Sequence, residues 1–310
     1  MAIVESVIIF IVALVILAKA SSFAVKHAVR FAKLSGIHQL AVGFLLLAVS
    51  TSFPELIITL ISTAEGEGLI GFSTAVGSSI GDFTIMMGIA AIGGFTVARK
   101  YRDDIDSAIM IGAVLAFIIL VLNIIGYAFG IFAIMIFLIY MRIIIRKGVP
   151  IKNNHVKGLK ITAALKSALL TVAATAIVAV SAYFLVNSVV DISLTAGISK
   201  ALLGATVIAM GSFLPELTLT ISAMRKKNID LALGDAAGSV VTNIALVGGI
   251  AAFGGIMLDT ITSVELGFLI LASMFIYTLI KKGRLGKKEA FMLFGLYVVY
   301  LLVIIFLAIY

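Results

Sequence analysis

The sequence predicts an all-α integral membrane protein of ten transmembrane helices, built as two inverted five-helix repeats with both termini outside. Three observations carry this reading. Apolar residues make up 62% of the 310 residues and charged residues only 12%, too little polar surface for a soluble domain of this size. The apolar residues come in long stretches with the charges pushed into short gaps, and the mean hydropathy is +1.25. The segment 43–88 recurs as 204–249 without a gap. The net charge of +8 would suit a nucleic-acid partner, but the basic residues flank the apolar stretches, so the expected partner is the lipid bilayer and not a nucleic acid. The chain has no cysteine, which excludes disulfides.

Taken in order, the stretches predict spans at 4–24, 38–64, 69–97, 107–125, 127–145, 163–187, 199–223, 230–256, 261–280 and 290–309. The first follows Glu5 instead of a basic region and runs on as a full span, so no cleavable signal peptide is expected. The run 107–141 is unbroken, and as one helix it would be about 50 Å long against a hydrocarbon core of about 30 Å. Asn123, Gly126 and Gly130 supply the turn that splits it into two.

The basic residues fix the orientation. Lys26, Arg30 and Lys33 precede the second span, and Arg99, Lys100 and Arg102 the fourth. The central gap holds Arg142, Arg146, Lys147, Lys152, Lys157 and Lys160, the next basic gap Arg225, Lys226 and Lys227, and the last Lys281, Lys282, Arg284, Lys287 and Lys288. These 20 of the 23 Lys and Arg fall in alternate gaps, whereas an intervening gap reads Glu65-Gly66-Glu67. The positive-inside rule places the basic gaps in the cytoplasm and both termini outside a multi-pass cell-membrane protein. Residues 146–162 read as a cytoplasmic linker between a first repeat at 1–145 and a second at 163–310.

The internal match keeps a constant offset of 161. Pro54-Glu55-Leu56 falls on Pro215-Glu216-Leu217, Thr59 on Thr220, Gly77-Ser78 on Gly238-Ser239, Asp82 on Asn243 and Gly88 on Gly249. Five spans separate the copies, an odd number, so they cross in opposite directions. Inverted repeats broken at matching Pro and Gly positions point to a transport site near the midplane.

The residues inside that repeat suit a hard cation. Glu55 and Glu216 are ionisable groups within spans, which need a partner or a purpose. Thr51 stands four residues before Glu55 with Ser52 beside it, and Ser212 four before Glu216, so each hydroxyl shares a helix face with its carboxylate. Each proline withholds an N–H from the preceding turn and frees carbonyls, chiefly those of Ser50 and Gly211. Ser78 and Asp82 on one span, and Asp235, Ser239 and Asn243 on another, continue at steps of four. Together they make an all-oxygen set, and Ca2+ takes about 6–8 oxygens in loose geometry. No His, Cys or Met set falls at matching positions, so a soft metal does not fit, and no cofactor is expected.

The duplicated Pro-Glu segment followed by a Gly-Ser segment resembles the repeats of the Ca2+/cation antiporter superfamily, and within it the prokaryotic Na+/Ca2+ exchangers. The resemblance implies a secondary-active antiporter that exchanges Ca2+ for Na+ by alternating access, with the first and sixth spans sliding against the other eight. It implies Ca2+ ligands at Glu55, Glu216, Thr51 and Ser212, and Na+ ligands at Ser52, Ser78 and Ser239, with the family's Asn and Asp pair on Asp82 and Asn243. The chain departs from the pattern in places. Phe213 stands where the second copy would carry a hydroxyl, and Thr74 and Asp235 stand where Asn is usual. The extra acid and the missing hydroxyl keep H+ open as the coupling ion. Lys19, midway along the first span, is read either as a snorkelling or packing residue or as a built-in cation. An intramembrane aspartyl protease using Asp82 and Asp235 is a remote alternative, since each aspartate follows a glycine but the Gly-x-Gly-Asp signature is absent.

Overall fold

The computed structural model describes residues 2–64, 66, 68–92, 95–96, 99–148, 161–195, 213–282 and 284–309. The chain is almost wholly helical. The helices are α1 (Ala2–Ser35), α2 (Gln39–Thr51), α3 (Phe53–Ala64), α4 (Gly68–Ile92), α5 (Arg99–Leu122) and α6 (Tyr127–Gly148), then α7 (Ile161–Thr195), α8 (Leu214–Arg225), α9 (Ile229–Gly254), α10 (Thr260–Lys282) and α11 (Lys287–Ile309). Eight of these, all but α2, α3 and α8, are long and apolar enough among the described residues to cross a membrane. The predicted second span is two helices with a break at Ser52, and the part of the predicted seventh span at 199–212 lies outside the described residues.

The centre is formed by α4 and α9, whose most apolar windows are 78% and 83% buried, against 22–44% for the other long helices. Buried aromatic and aliphatic residues fill the space around them: Phe44, Phe72, Phe83, Ile80, Val240 and Ile244 belong to one continuous cluster. The periphery carries the opposite signal. Ile8, Val12 and Val15 on α1, Leu165, Leu169 and Ile177 on α7, and Phe291, Val299 and Leu302 on α11 are exposed, as residues facing lipid tails are.

Two helices are much longer than predicted. α1 has 34 residues and α7 has 35, about 50 Å each at 1.5 Å per residue. The polar residues Ser21, Ser22, Lys26 and Arg30 looked like the end of a span but lie on a continuing helix. The two pack antiparallel, with Leu17 and Ala20 against Val178 and with Ala24 and Ala28 in one cluster with Ala174. The fourth span also starts earlier than expected, at Arg99 and not 107. Its acids are neutralised by neighbouring helices: Lys147 on α6 meets Asp104 at 2.6 Å, and Lys281 on α10 meets Asp106 at 2.9 Å. The turn before α6 falls at Asn123, which adopts φ 58°, a left-handed conformation that Asn tolerates better than most residues.

Two short antiparallel pairs tie the halves together: Phe95–Thr96 (β1) with Arg284–Leu285 (β4), and Ile124–Ile125 (β2) with Ile256–Met257 (β3). The offset of 161 carries β1 onto β3 and the first residue of β2 onto the last of β4, so each pair joins one half to the other in reciprocal fashion.

Candidate functional site

The site begins with a broken helix. α2 ends at Thr51, Ser52 adopts φ −76°, ψ 9°, and α3 restarts at Phe53. In the second copy Phe213 adopts φ −99°, ψ 11° immediately before α8. The next turn is closed the same way in both, by the Leu56 N–H donating to the Ser52 carbonyl at 3.0 Å and the Leu217 N–H donating to the Phe213 carbonyl at 2.9 Å. A proline two residues past each break supplies no N–H to the turn before it, which lets the backbone bend there. Each restarted helix opens on a glutamate, Glu55 or Glu216, in its first turn.

The facing elements are α4 and α9. Both contain a stretch of wider π-helical turns, Asp82–Met86 in α4 and Thr242–Val247 in α9. Such turns shift the side chains that follow and occur often at functional sites. Here they start at Asp82 and one residue before Asn243. α2 crosses α9 at very short range. A Cβ at Gly43 would stand 2.5 Å from the Leu231 carbonyl oxygen, and one at Gly234 would meet the Leu40 backbone, so only glycine permits this crossing. The close approach brings Thr51 of the first half to Ser239 of the second, with 3.4 Å between their hydroxyls.

Glu55, Glu216, Asp82 and Asp235 are each at most 1% exposed and lie within electrostatic reach of one another: Glu55 faces Glu216, and Asp82 faces Glu216, Asp235 and Glu55. Ser78 donates to Glu55 Oε1 at 3.3 Å. The other seven carboxylate oxygens of these four residues, both amide atoms of Asn243 and the Ser52 hydroxyl have no hydrogen-bond partner. Thr51 lies against Glu216, with its own hydroxyl turned to the Ala48 and Leu47 carbonyls. Four buried carboxylates in one low-dielectric space repel one another and have lost water without replacing it, at a cost of several kcal/mol each if ionised and uncompensated. Only cations or protons can balance them. Among the described residues, no three acidic or imidazole groups stand close enough to form a ready-made metal cage.

The structure thus brings Thr51, Glu55, Ser78, Asp82, Glu216, Asp235 and Ser239 to one another, and Ser52 and Asn243 are buried on the same broken helix and helix α9 that carry them. Ser212 lies outside the described residues. Asp235 is fully buried in α9. Lys19 is exposed on α1, as a snorkelling side chain is. Phe213 is 1% exposed, edge-on to Tyr297 with ring centroids 5.8 Å apart, and its ring fills the space beside Gly81. Sequence reasoning passed over Glu265, a buried acid in α10. The signal was present, since an ionisable residue inside an apolar span is itself conspicuous.

The family described as "Sodium/calcium exchanger protein" matches residues 5–146 and 166–306. An uncharacterized membrane protein of Methanocaldococcus jannaschii, MJ0091, is 25% identical over 94% of this chain and 95% of its own length. The sodium/calcium exchanger MaX1 of Methanosarcina acetivorans is 25% identical over 79% of this chain and 81% of its own. A solved structure of the sodium-calcium exchanger NCX_Mj superposes with a TM-score of 0.85 over 96% of this chain and 98% of that one, at 22% identity, so the two share a fold.

Proposed function

The chain belongs to the sodium/calcium exchanger protein family, and from that premise we propose that it is a secondary-active antiporter exchanging Ca2+ for Na+ across the cell membrane by alternating access. The observation that carries the proposal is the set of buried, unpartnered oxygens on Glu55, Glu216, Asp82, Asp235 and Asn243. In this reading Ca2+ is held by Glu55 and Glu216 with the hydroxyls of Thr51 and Ser212, and Na+ by Ser52, Ser78 and Ser239 near Asp82 and Asn243. The carboxylates cannot be carried through an apolar, occluded state as bare anions, so the site crosses only when cations compensate it. That requirement converts binding into exchange. A ten-span layout fits the same account. Among the described residues the element bounds repeat at the offset of 161: α1 corresponds to α7, α3 to α8, α4 to α9, α5 to α10 and α6 to α11. We read the two halves as inverted, the long α1–α7 pair as the sliding element, 146–162 as a cytoplasmic linker and both termini as extracellular.

A second reading replaces Na+ with H+. Phe213 favours it, because an apolar ring occupies the second-copy position where a Na+-coordinating hydroxyl is expected. The protease alternative has no such support, since the matched relatives that carry a functional name are exchangers or antiporters.

The site assignment is tested by Ca2+ uptake into proteoliposomes with Glu55→Gln and Glu216→Gln. Removing one of two ligand charges should lower uptake by about 100-fold or more in each variant. Full uptake in either would exclude that glutamate as a Ca2+ ligand.

A further inference from the structure

Glu265 stands in the second turn of α10 and is 6% exposed. Its carboxylate is held by two hydroxyls from different helices. Ser73 on α4 donates to Oε2 at 2.7 Å, and Tyr300 on α11 donates to Oε1 at 3.1 Å. The first half of the chain shows what is different here. At the offset of 161, Glu265 corresponds to Asp104 and Lys147 to Ala308. In the first half the acid is neutralised by its lysine at 2.6 Å; in the second the lysine position is alanine, and the acid meets neutral donors instead. A carboxylate in that setting is expensive as a bare anion, and its counter-charge must come from outside. A metal ion fits poorly. Two carboxylate oxygens and two hydroxyls already turned toward them fall short of the roughly 6–8 oxygens that Ca2+ takes. A proton fits: the neutral acid can donate to the Tyr300 oxygen once that hydroxyl turns, and the Ser73 bond persists.

The position links this group to the ion site. Ser73 and Gly77 form one stripe of α4; Ser78 and Asp82 form the adjoining one. A Cβ at Gly77 would stand 3.3 Å from the Tyr300 hydroxyl and 3.7 Å from Glu265 Oε1, so the acid and its tyrosine lie directly against the helix that carries the ion ligands. Tyr300 in turn packs on Tyr297 with centroids 5.6 Å apart, and Tyr297 on Phe213, whose ring closes against Gly81 beside Asp82.

We propose that Glu265, with Ser73 and Tyr300, is a proton-binding site on the back of α4, and that its protonation sets how readily α4 presents Ser78 and Asp82 to the transported ion. The step takes up or releases one proton at the carboxylate and forms no other bond. The ionisable groups around it are Tyr300 and Tyr297 from α11 and Asp259 just before its own helix. Asp106 of α5 is paired with Lys281 at the far end of α10, and Asp82 belongs to the ion site on the adjoining stripe. The coupling half of the proposal rests on the exchanger reading; the proton-binding half does not.

The test uses the full chain in liposomes, titrated from about pH 5 to about pH 9 across the range where a perturbed carboxyl group exchanges its proton. Infrared difference spectra should show a carboxylic-acid C=O component that grows as pH falls and is removed in Glu265→Gln, which keeps the shape and the acceptor oxygen, while any components from Glu55, Glu216, Asp82 and Asp235 stay. Tyr300→Phe, which leaves the acid but removes one donor, should move the midpoint of that band. Half-saturating Ca2+ for uptake should change about tenfold across the range in the wild type and stay nearly flat in Glu265→Gln. The same band in wild type and Glu265→Gln would overturn the proton site. A lost band with superimposable uptake profiles would overturn the coupling. A wild type that moves no Ca2+ would sink the exchanger reading, and the infrared titration would still decide the proton site.

Discussion

At the scale of single residues, Phe213 is the departure that bears most directly on the proposed coupling ion. Its backbone repeats that of Ser52, yet its side chain replaces a hydroxyl with a buried ring against Tyr297 and Gly81. Phe213→Ser should cost about 3–5 kcal/mol of stability through the cavity it leaves. If the ring closes a Na+ position, the new hydroxyl should strengthen Na+ competition against Ca2+ by about 1 kcal/mol, roughly fivefold in half-saturating Na+, the worth of one neutral oxygen. Competition measured in proteoliposomes checks this, and an unchanged Na+ response would mean that the ring excludes nothing. The Pro-Glu pairs, their hydroxyls, Asp82, Asn243 and Asp235 were legible because polar residues stand out in an apolar chain and fall at helical spacing. Glu265 was missed because it lacks a matching acid within the repeated segment; its counterpart, Asp104, lies outside 43–88 and reads as part of a charged flank.

At the scale of elements, the crossing of α2 over α9 sets the distance between the halves. Gly43 and Gly234 allow backbones to touch, and this contact holds Thr51 to Ser239. Gly234→Ala should therefore lower stability by at least about 1–3 kcal/mol, the usual penalty of overpacking, because backbone and not a flexible side chain must yield. Gly267→Ala on α10 is the matched control, since nothing lies within 4 Å of a Cβ there. Thermal unfolding in detergent compares the two; equal midpoints would show that the crossing has more slack than its geometry implies. The π-helical stretches at Asp82–Met86 and Thr242–Val247 were invisible in the sequence, because no residue type marks a widened turn. The early start of α5 was hidden for another reason. Asp104 and Asp106 read as a solvated gap, and only the neighbouring Lys147 and Lys281 make them part of a helix.

At the scale of the molecule, the two halves correspond by a single offset and are laced by reciprocal strand pairs, while α1 and α7 lie together as a long outer pair. In this structure α1 is pinned to α8. Ser21 donates to Thr218 Oγ1 at 2.9 Å, and the Lys226 ammonium donates to the Ser22 carbonyl. If α1 slides during turnover, that contact must break on every cycle. The chain has no cysteine, so Ser21→Cys with Thr218→Cys offers a clean crosslink. Oxidation should stop uptake and reduction should restore it; uptake that continues with the bridge formed would place the moving element elsewhere. The eight long apolar helices among the described residues were readable from hydropathy. The lengths of α1 and α7 were not, because a helix that leaves the hydrocarbon but stays packed on its partner shows no apolar signal at its ends.

The central claim is coupled Ca2+ exchange. It is tested most directly by uptake of radiolabelled Ca2+ into proteoliposomes under an outward Na+ gradient, under a pH gradient with acid inside, and with neither. The account predicts saturable uptake under the Na+ gradient and none without a gradient. Uptake driven by the pH gradient alone would replace Na+ with protons as the coupling ion. Absence of driven uptake under both gradients would contradict Ca2+ exchange itself.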